Sequence, residues 1–191
     1  MPLLAFHNDP AIKAKYLARV ENHILMNNLV HGKGWEGGRG CAVGCTLEAY
    51  DHARYPTELG IPEWLARLED SLFEGMSLEK SKTWPRDFLA AIRPGDDLER
   101  IKAPFMISVL RSALATQEAN TNFDAAAFPD VAASIEGVKN VIRETIVLWE
   151  AEGSAAWSAA WSAASAASAA RSAQYAKFDY FADELLAIIT G

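Results

Sequence analysis

Apolar residues recur at helical spacing along most of the chain. In the first such segment every fourth position from Ile12 to Ile24 is apolar, and Asp9 and Pro10 just before it are typical of a helix start. Similar spacing predicts helices from about Cys41 or Cys45 to Arg54, Pro62 to Gly75, Leu78 to Ile92 with a break near Trp84 and Pro85, from Asp96 or Asp97, from Asp130, and from Tyr175 to Ile189. No run of alternating apolar and polar residues predicts a strand, and we find no hairpin signal.

This pattern predicts an all-α fold, organised as a single domain over residues 1–191 with about six to eight helices in an irregular bundle. The chain of 191 residues is long enough to bury a core without help from a disulfide or a metal ion. Half of its residues are apolar and 23% are charged, a composition typical of globular proteins rather than of disordered ones.

Ser154–Ala173 is a low-complexity segment of Ala, Ser and Trp with Arg171 as its only charged residue. Alanine favours helix and small side chains allow close helix packing, so we expect one continuous helix at the centre of the bundle. The alternative is a ligand surface lined by the serine stripe or by Trp157 and Trp161. Serine hydroxyls also bond to carbonyls of their own helix, so the stripe requires no ligand.

The charge of the chain limits its partners. The formal net charge is −7 and the pI is about 5.1, and an acidic surface repels nucleic-acid phosphates and anionic membranes. The N-terminal residues lack the basic and apolar regions of a secretory signal, and no stretch is apolar enough to span a membrane. Because the chain has only two cysteines, the sequence predicts a soluble, cytoplasmic protein. Its expected partner is a small anion or another protein, and oligomerisation stays open.

The segment from residue 31 to residue 52 concentrates the residues that carry chemistry. It holds both cysteines, two of the four histidines and six of the twelve glycines, a glycine density that indicates a loop ending the first helix. A helix from Cys41 would place four residues on one face: Cys41, Cys45, Glu48 and His52. A second row on the first helix has the same spacing: Arg19, His23, Asn27 and His31. We therefore expect Cys41, Cys45 and His52 to lie close together without a disulfide, and His31 or His23 to lie near them.

Three kinds of site fit these residues. A thiol nucleophile, Cys41 or Cys45, would use His52 as its base. A zinc ion would be bound by the set His31, Cys41, Cys45 and His52, but their spacing matches no standard zinc motif, so a bound metal is not favoured. A small anion would be held by the set Lys33, Gly38, Arg39, Gly40 and Cys41. Against all three sites, cysteine and histidine are often simply buried core residues.

The predicted helix from Pro62 to Gly75 carries three acidic residues, Glu69, Asp70 and Glu74, near its C-terminal end. Paired carboxylates in such a position usually face water, because an ionised carboxylate is costly to bury without partners. The sequence therefore predicts a solvated acidic face here and no site.

The stretch GCAVGCTLEAYDHARYPTELGIPEWLARLEDSLFEG resembles a group of bacterial and phage-associated proteins that share its Gly-Cys-x-x-Gly-Cys block and an Ala/Trp-rich C-terminal region. The likeness covers about half of the chain. The group has no established activity, so the resemblance implies no function, no cofactor and no site residue.

Two functional hypotheses follow from the residues. The favoured one is a non-enzymatic binding or interaction protein whose site lies near residues 31–52. The alternative is a small thiol- or zinc-dependent enzyme that uses Cys41 or Cys45 with His52.

Overall fold

The computed structural model describes residues 2–119, 125–152 and 175–191. It is 73% helical, and the described residues contain nine α-helices and a single hairpin of two short strands, which confirms the prediction of an all-α fold. The segment Ser154–Ala173, predicted as a central helix, lies outside the described residues.

The helices in chain order are α1 (Pro10–Leu25), α2 (Ala42–Leu47), α3 (Tyr55–Leu59), α4 (Glu63–Gly75), α5 (Leu78–Ser81), α6 (Trp84–Ala91), α7 (Lys102–Glu118), α8 (Pro129–Glu152) and α9 (Tyr175–Thr190). The two strands are β1 (Trp35–Glu36) and β2 (Arg39–Gly40), which pair antiparallel. Short 3₁₀ turns cover Ala5–Asn8, His52–Arg54 and Leu98–Ile101. Among the helices so described, none is long and apolar enough to cross a membrane.

The chain forms two compact units, and the first comprises Met1–Glu99 with Ser172–Gly191, as far as these residues are described. Helix α4 lies at its centre and contacts α2, α3, α6 and α9. Close approach of α4 and α9 depends on Gly75, since a β-carbon there would overlap the ring of Phe178. Helices α2, α3, α6 and α9 therefore pack around α4.

The second unit comprises Arg100–Arg171 and contains α7 and α8. The two helices run antiparallel, since Arg111 pairs with Glu150 at 2.6 Å and Arg143 pairs with Glu118 at 2.9 Å. The expectation of a single domain over residues 1–191 stays a prediction.

Several helix boundaries agree with the sequence. Asp9 caps α1 by accepting a hydrogen bond from the Ala11 amide at 2.8 Å, as its position before Pro10 predicts. Helices α5 and α6 are separated just before Trp84 and Pro85, where a break was expected.

Helix α1 ends earlier than the sequence predicts. Its last residue is Leu25, and Asn27 takes a left-handed φ of 52°, a conformation that asparagine tolerates better than most residues. The Asn28 amide then bonds to the His23 carbonyl at 2.9 Å, which closes the helix end. The prediction of one helical row from Arg19 to His31 is therefore wrong beyond His23.

Helix α2 is also shorter than predicted, because Glu48 takes a left-handed φ of 54° and ends it after Leu47. Cys41 is the N-cap of this helix rather than a residue within it. His52 lies in the separate 3₁₀ turn that follows. The predicted single face through Cys41, Cys45, Glu48 and His52 is therefore wrong.

The glycine-rich loop contains a hairpin that was not predicted from the sequence. Gly37 and Gly38 form its two-residue turn with φ values of 60° and 78°, and a Gly-Gly pair is a recognised signal for such a turn. A β-carbon at Gly40 or Gly44 would overlap the carbonyl oxygen of Gly34. Turn geometry and close backbone packing thus explain these glycines without a ligand.

Candidate metal centre

A thiol and two carboxylates converge between the start of α2 and α4. The Sγ of Cys41 and one carboxylate oxygen each of Asp70 and Glu74 all lie within 4.8 Å of one another. Cys41 is buried, and as N-cap its Sγ accepts a hydrogen bond from the Gly44 amide at 3.4 Å. Because α2 packs on α4, this cap position places the sulfur beside the acidic residues of α4.

The two oxygens of Asp70 have different surroundings. Oδ2 accepts a hydrogen bond from the Tyr50 hydroxyl at 3.0 Å and lies 3.1 Å from Nε2 of His52, which donates when it carries the proton. Oδ1 is buried and has no hydrogen-bond partner among the described residues. Asp70 as a whole is only 7% exposed, so water does not readily compensate. Two side chains thus hold one oxygen of this carboxylate in place, whereas the other oxygen has no donor at hydrogen-bond geometry among the described residues.

Glu74 joins the glycine-rich loop to α4. Its Oε2 accepts a hydrogen bond from the Gly32 amide at 2.6 Å. The residue before that amide, His31, packs its ring against Phe73 with the ring centroids 4.7 Å apart. Nε2 of His31 is buried and has no partner in the described part of the chain.

Burial raises the pKa of the Cys41 thiol well above its ordinary value, and the neighbouring Asp70 carboxylate raises it further. The Gly44 amide stabilises the thiolate but does not offset the loss of solvation. At neutral pH the sulfur therefore carries its proton, and a protonated thiol is a poor nucleophile.

Cys45 lies apart from this group. Its thiol is directed at two backbone carbonyl oxygens, 3.5 Å from that of Gly40 and 3.7 Å from that of Asn28. Burial raises its pKa to about 12. Both cysteines are free.

Of the residues expected to converge, the structure brings Cys41 and His52 together around Asp70 and leaves Cys45 outside the group. His23 is directed elsewhere, with its Nε2 3.5 Å from a Glu48 carboxylate oxygen and its ring against Trp35.

The predicted anion site loses most of its donors to contacts within the loop. The Gly40 amide donates to the Asn28 carbonyl at 3.0 Å, and the Cys41 amide donates to the Lys33 carbonyl at 2.7 Å. The Lys33 ammonium pairs with Glu36 at 2.5 Å. Arg39 donates to the Asn27 carbonyl at 3.4 Å, and Gly38 lies in the hairpin turn. These contacts leave little of the set free to hold an anion.

The acidic residues of α4 are not a solvated face, and that prediction is wrong for Glu69 and Asp70. Glu69 is fully buried, and its Oε2 accepts a hydrogen bond from the Tyr55 hydroxyl at 2.7 Å. Burial raises the pKa of Glu69 to about 8; the Tyr55 bond opposes this shift and the charge of Asp70 adds to it. A signal was present, since Glu69 is four residues after Leu65 and four before Phe73 on the apolar face.

Comparison of the chain with known protein families, curated proteins and solved structures gave no match. The resemblance of the Gly-Cys-x-x-Gly-Cys block to bacterial and phage-associated proteins stays a prediction.

Proposed function

We propose that this protein binds a divalent metal ion, with zinc the best match, through Cys41, Asp70 and Glu74. One observation carries the proposal: a thiol and two carboxylates lie within 4.8 Å of one another at a site where a buried carboxylate oxygen of Asp70 has no hydrogen-bond partner among the described residues. A buried oxygen without a donor is unfavourable by about 1–3 kcal/mol, and a cation there would compensate it.

The donor set suits zinc in particular. Zinc accepts both thiolate sulfur and carboxylate oxygen, whereas magnesium and calcium prefer oxygen alone. The hydrogen bonds of Tyr50 and His52 to Asp70 Oδ2 resemble those that orient metal-binding carboxylates in other metal sites. The Gly32 amide does the same for Glu74.

Metal binding would also change the protonation state of the Cys41 thiol, whose pKa is high. Without a cation, burial and the Asp70 carboxylate beside the sulfur disfavour a thiolate. A divalent cation reverses that local field, so the thiol releases its proton as the metal binds.

We propose a binding function rather than thiol catalysis. A catalytic cysteine requires a lowered pKa, and burial raises the pKa of both thiols here. We further propose that the protein works in the reducing cytoplasm, where both cysteines would stay available as thiols.

Substitution of Asp70 tests the proposal. Protein stripped with a chelator should bind one zinc ion per chain in isothermal titration calorimetry and in elemental analysis. Asp70→Asn keeps the size of the side chain and an oxygen to accept from Tyr50, but it removes the charge, so we expect affinity to fall by more than about 100-fold.

The matched control is Glu63→Gln on the same helix, because Glu63 pairs with Arg67 at 2.5 Å on an exposed face. This variant should bind zinc like the wild type, and circular dichroism should show that all three proteins are equally helical. A wild type without stoichiometric zinc, or an Asp70→Asn variant with undiminished affinity, contradicts the proposal.

A further inference from the structure

His31 differs from the other histidines of the described chain in lacking a hydrogen-bond partner for its buried Nε2. Nε2 of His31 is buried without a hydrogen bond among the described residues. Each of the others has one or more: His7 contacts the Thr57 carbonyl, His23 contacts Asn28 and Glu48, and His52 contacts Asp70. A buried imidazole nitrogen without a partner is unfavourable unless a ligand compensates it.

The position of His31 connects it to the proposed metal centre. Its neighbour Gly32 donates its amide to Glu74, and its ring packs on Phe73, the residue before Glu74. The loop therefore holds the imidazole against the same turn of α4 that supplies a carboxylate to the metal group.

We infer that His31 is the fourth metal ligand and binds through Nε2, an inference that rests on the proposed function. Nε2 is not among the atoms that lie mutually within 4.8 Å, so binding through it requires the imidazole to move toward the group. Cys41, His31, Asp70 and Glu74 then complete a four-coordinate site, which zinc favours in its tetrahedral structural centres.

This ligand set determines the kind of site. Three protein ligands would leave a position for a water molecule, as in hydrolytic zinc enzymes, whereas four close the coordination sphere. With His31 bound, two ligands come from the loop and α2 start and two from α4, so the metal fastens the loop to the helix.

Cobalt replaces zinc as the spectroscopic probe, because its visible absorption is intense in a tetrahedral site and weak when water raises the coordination number. Wild-type protein with cobalt should show the intense bands. In His31→Ala a water molecule replaces the imidazole, so the cobalt bands should change in position and intensity, and zinc should bind more than about 100-fold less tightly, beyond the 10- to 100-fold typical of a residue that only orients a ligand.

His31→Cys supplies a thiolate from the same position of the loop, so it should restore tight binding and an intense spectrum, which also shows that the loop tolerates substitution. His7→Ala is the matched control on an exposed histidine and should behave like the wild type.

The possible failures are distinguishable. If the wild type binds no metal, the proposed function is wrong and this inference with it. If the wild type binds and His31→Ala has the same spectrum and affinity, the metal centre stands and only the role of His31 is overturned.

Discussion

Cys41 and Cys45 lie one turn apart at the same short helix, both are buried, and burial raises the pKa of both thiols. Their neighbours differ. Cys45 faces backbone carbonyl oxygens that accept hydrogen bonds from its thiol, so this donor is satisfied within the chain. Cys41 faces the carboxylates of Asp70 and Glu74. Burial therefore does not distinguish the two cysteines; the surrounding acceptors and their charge do.

The largest expected difference between the two cysteines should appear when each thiol is replaced by a hydroxyl. Cys41→Ser preserves an N-cap acceptor for the Gly44 amide but removes the thiolate, so zinc affinity should fall by more than about 100-fold. Cys45→Ser leaves a hydroxyl that donates to the same carbonyls, and its affinity should stay within about threefold of wild type. Competition with a chromogenic chelator measures both. Equal losses in the two variants would show that the cysteines are equivalent.

A second test concerns the packing that positions both thiols. A β-carbon at Gly44 would overlap the Gly34 carbonyl oxygen, so Gly44→Ala should lower the free energy of unfolding by about 1–3 kcal/mol. Gly137 in α8 has nothing within 4 Å of the corresponding position, so Gly137→Ala should raise stability by up to about 1 kcal/mol. Urea unfolding of each variant with a chelator present measures the difference, and a neutral Gly44→Ala would mean that α2 can shift away from the loop.

The smallest expected effect concerns Glu69, whose buried carboxyl should make the stability of the protein depend on pH. Glu69 has a pKa of about 8 against an ordinary value of 4.5. Between these values the folded protein keeps a proton that the unfolded chain has released, so the free energy of unfolding falls as pH rises, by up to about 1.4 kcal/mol per unit. Glu69→Gln carries no titrating proton and should lose this slope.

Urea unfolding at several pH values in that window, with a chelator present, measures the slope for wild type and Glu69→Gln. Glu63→Gln serves as the control because Glu63 is outside the core and should leave the slope intact. Parallel curves for wild type and Glu69→Gln would mean that Glu69 is ionised in the folded protein.

Much of the fold could be predicted from the sequence, because several local signals agree at the same positions. The start of α1 has both a cap and a proline, and α9 has apolar residues at helical spacing, so each element is specified by its own residues. The early ends of α1 and α2 could not be predicted from the sequence. Asn27 and Glu48 adopt left-handed conformations there, and neither residue requires that conformation by itself.

The candidate site of Cys41, Asp70 and Glu74 could be predicted only in part. Cys41 stands out in the sequence, but its partners Asp70 and Glu74 lie on a distant helix, and no spacing rule links residues that meet only when α2 packs on α4. Glu69 could have been found, because it continues the apolar stripe through Leu65. The unpartnered oxygen of Asp70 required the folded arrangement of Tyr50 and His52 around it.

The role of Cys41 as an N-cap has a consequence for thermodynamic linkage. Serine, threonine, aspartate and asparagine commonly fill that position and accept the same hydrogen bond. A sulfur at this position makes the start of α2 sensitive to any ligand that binds the sulfur. A thiolate accepts the hydrogen bond of the Gly44 amide more strongly than a thiol does. Linkage is reciprocal, so occupancy of the sulfur strengthens the first turn of α2, and fraying of that turn weakens binding by the same factor.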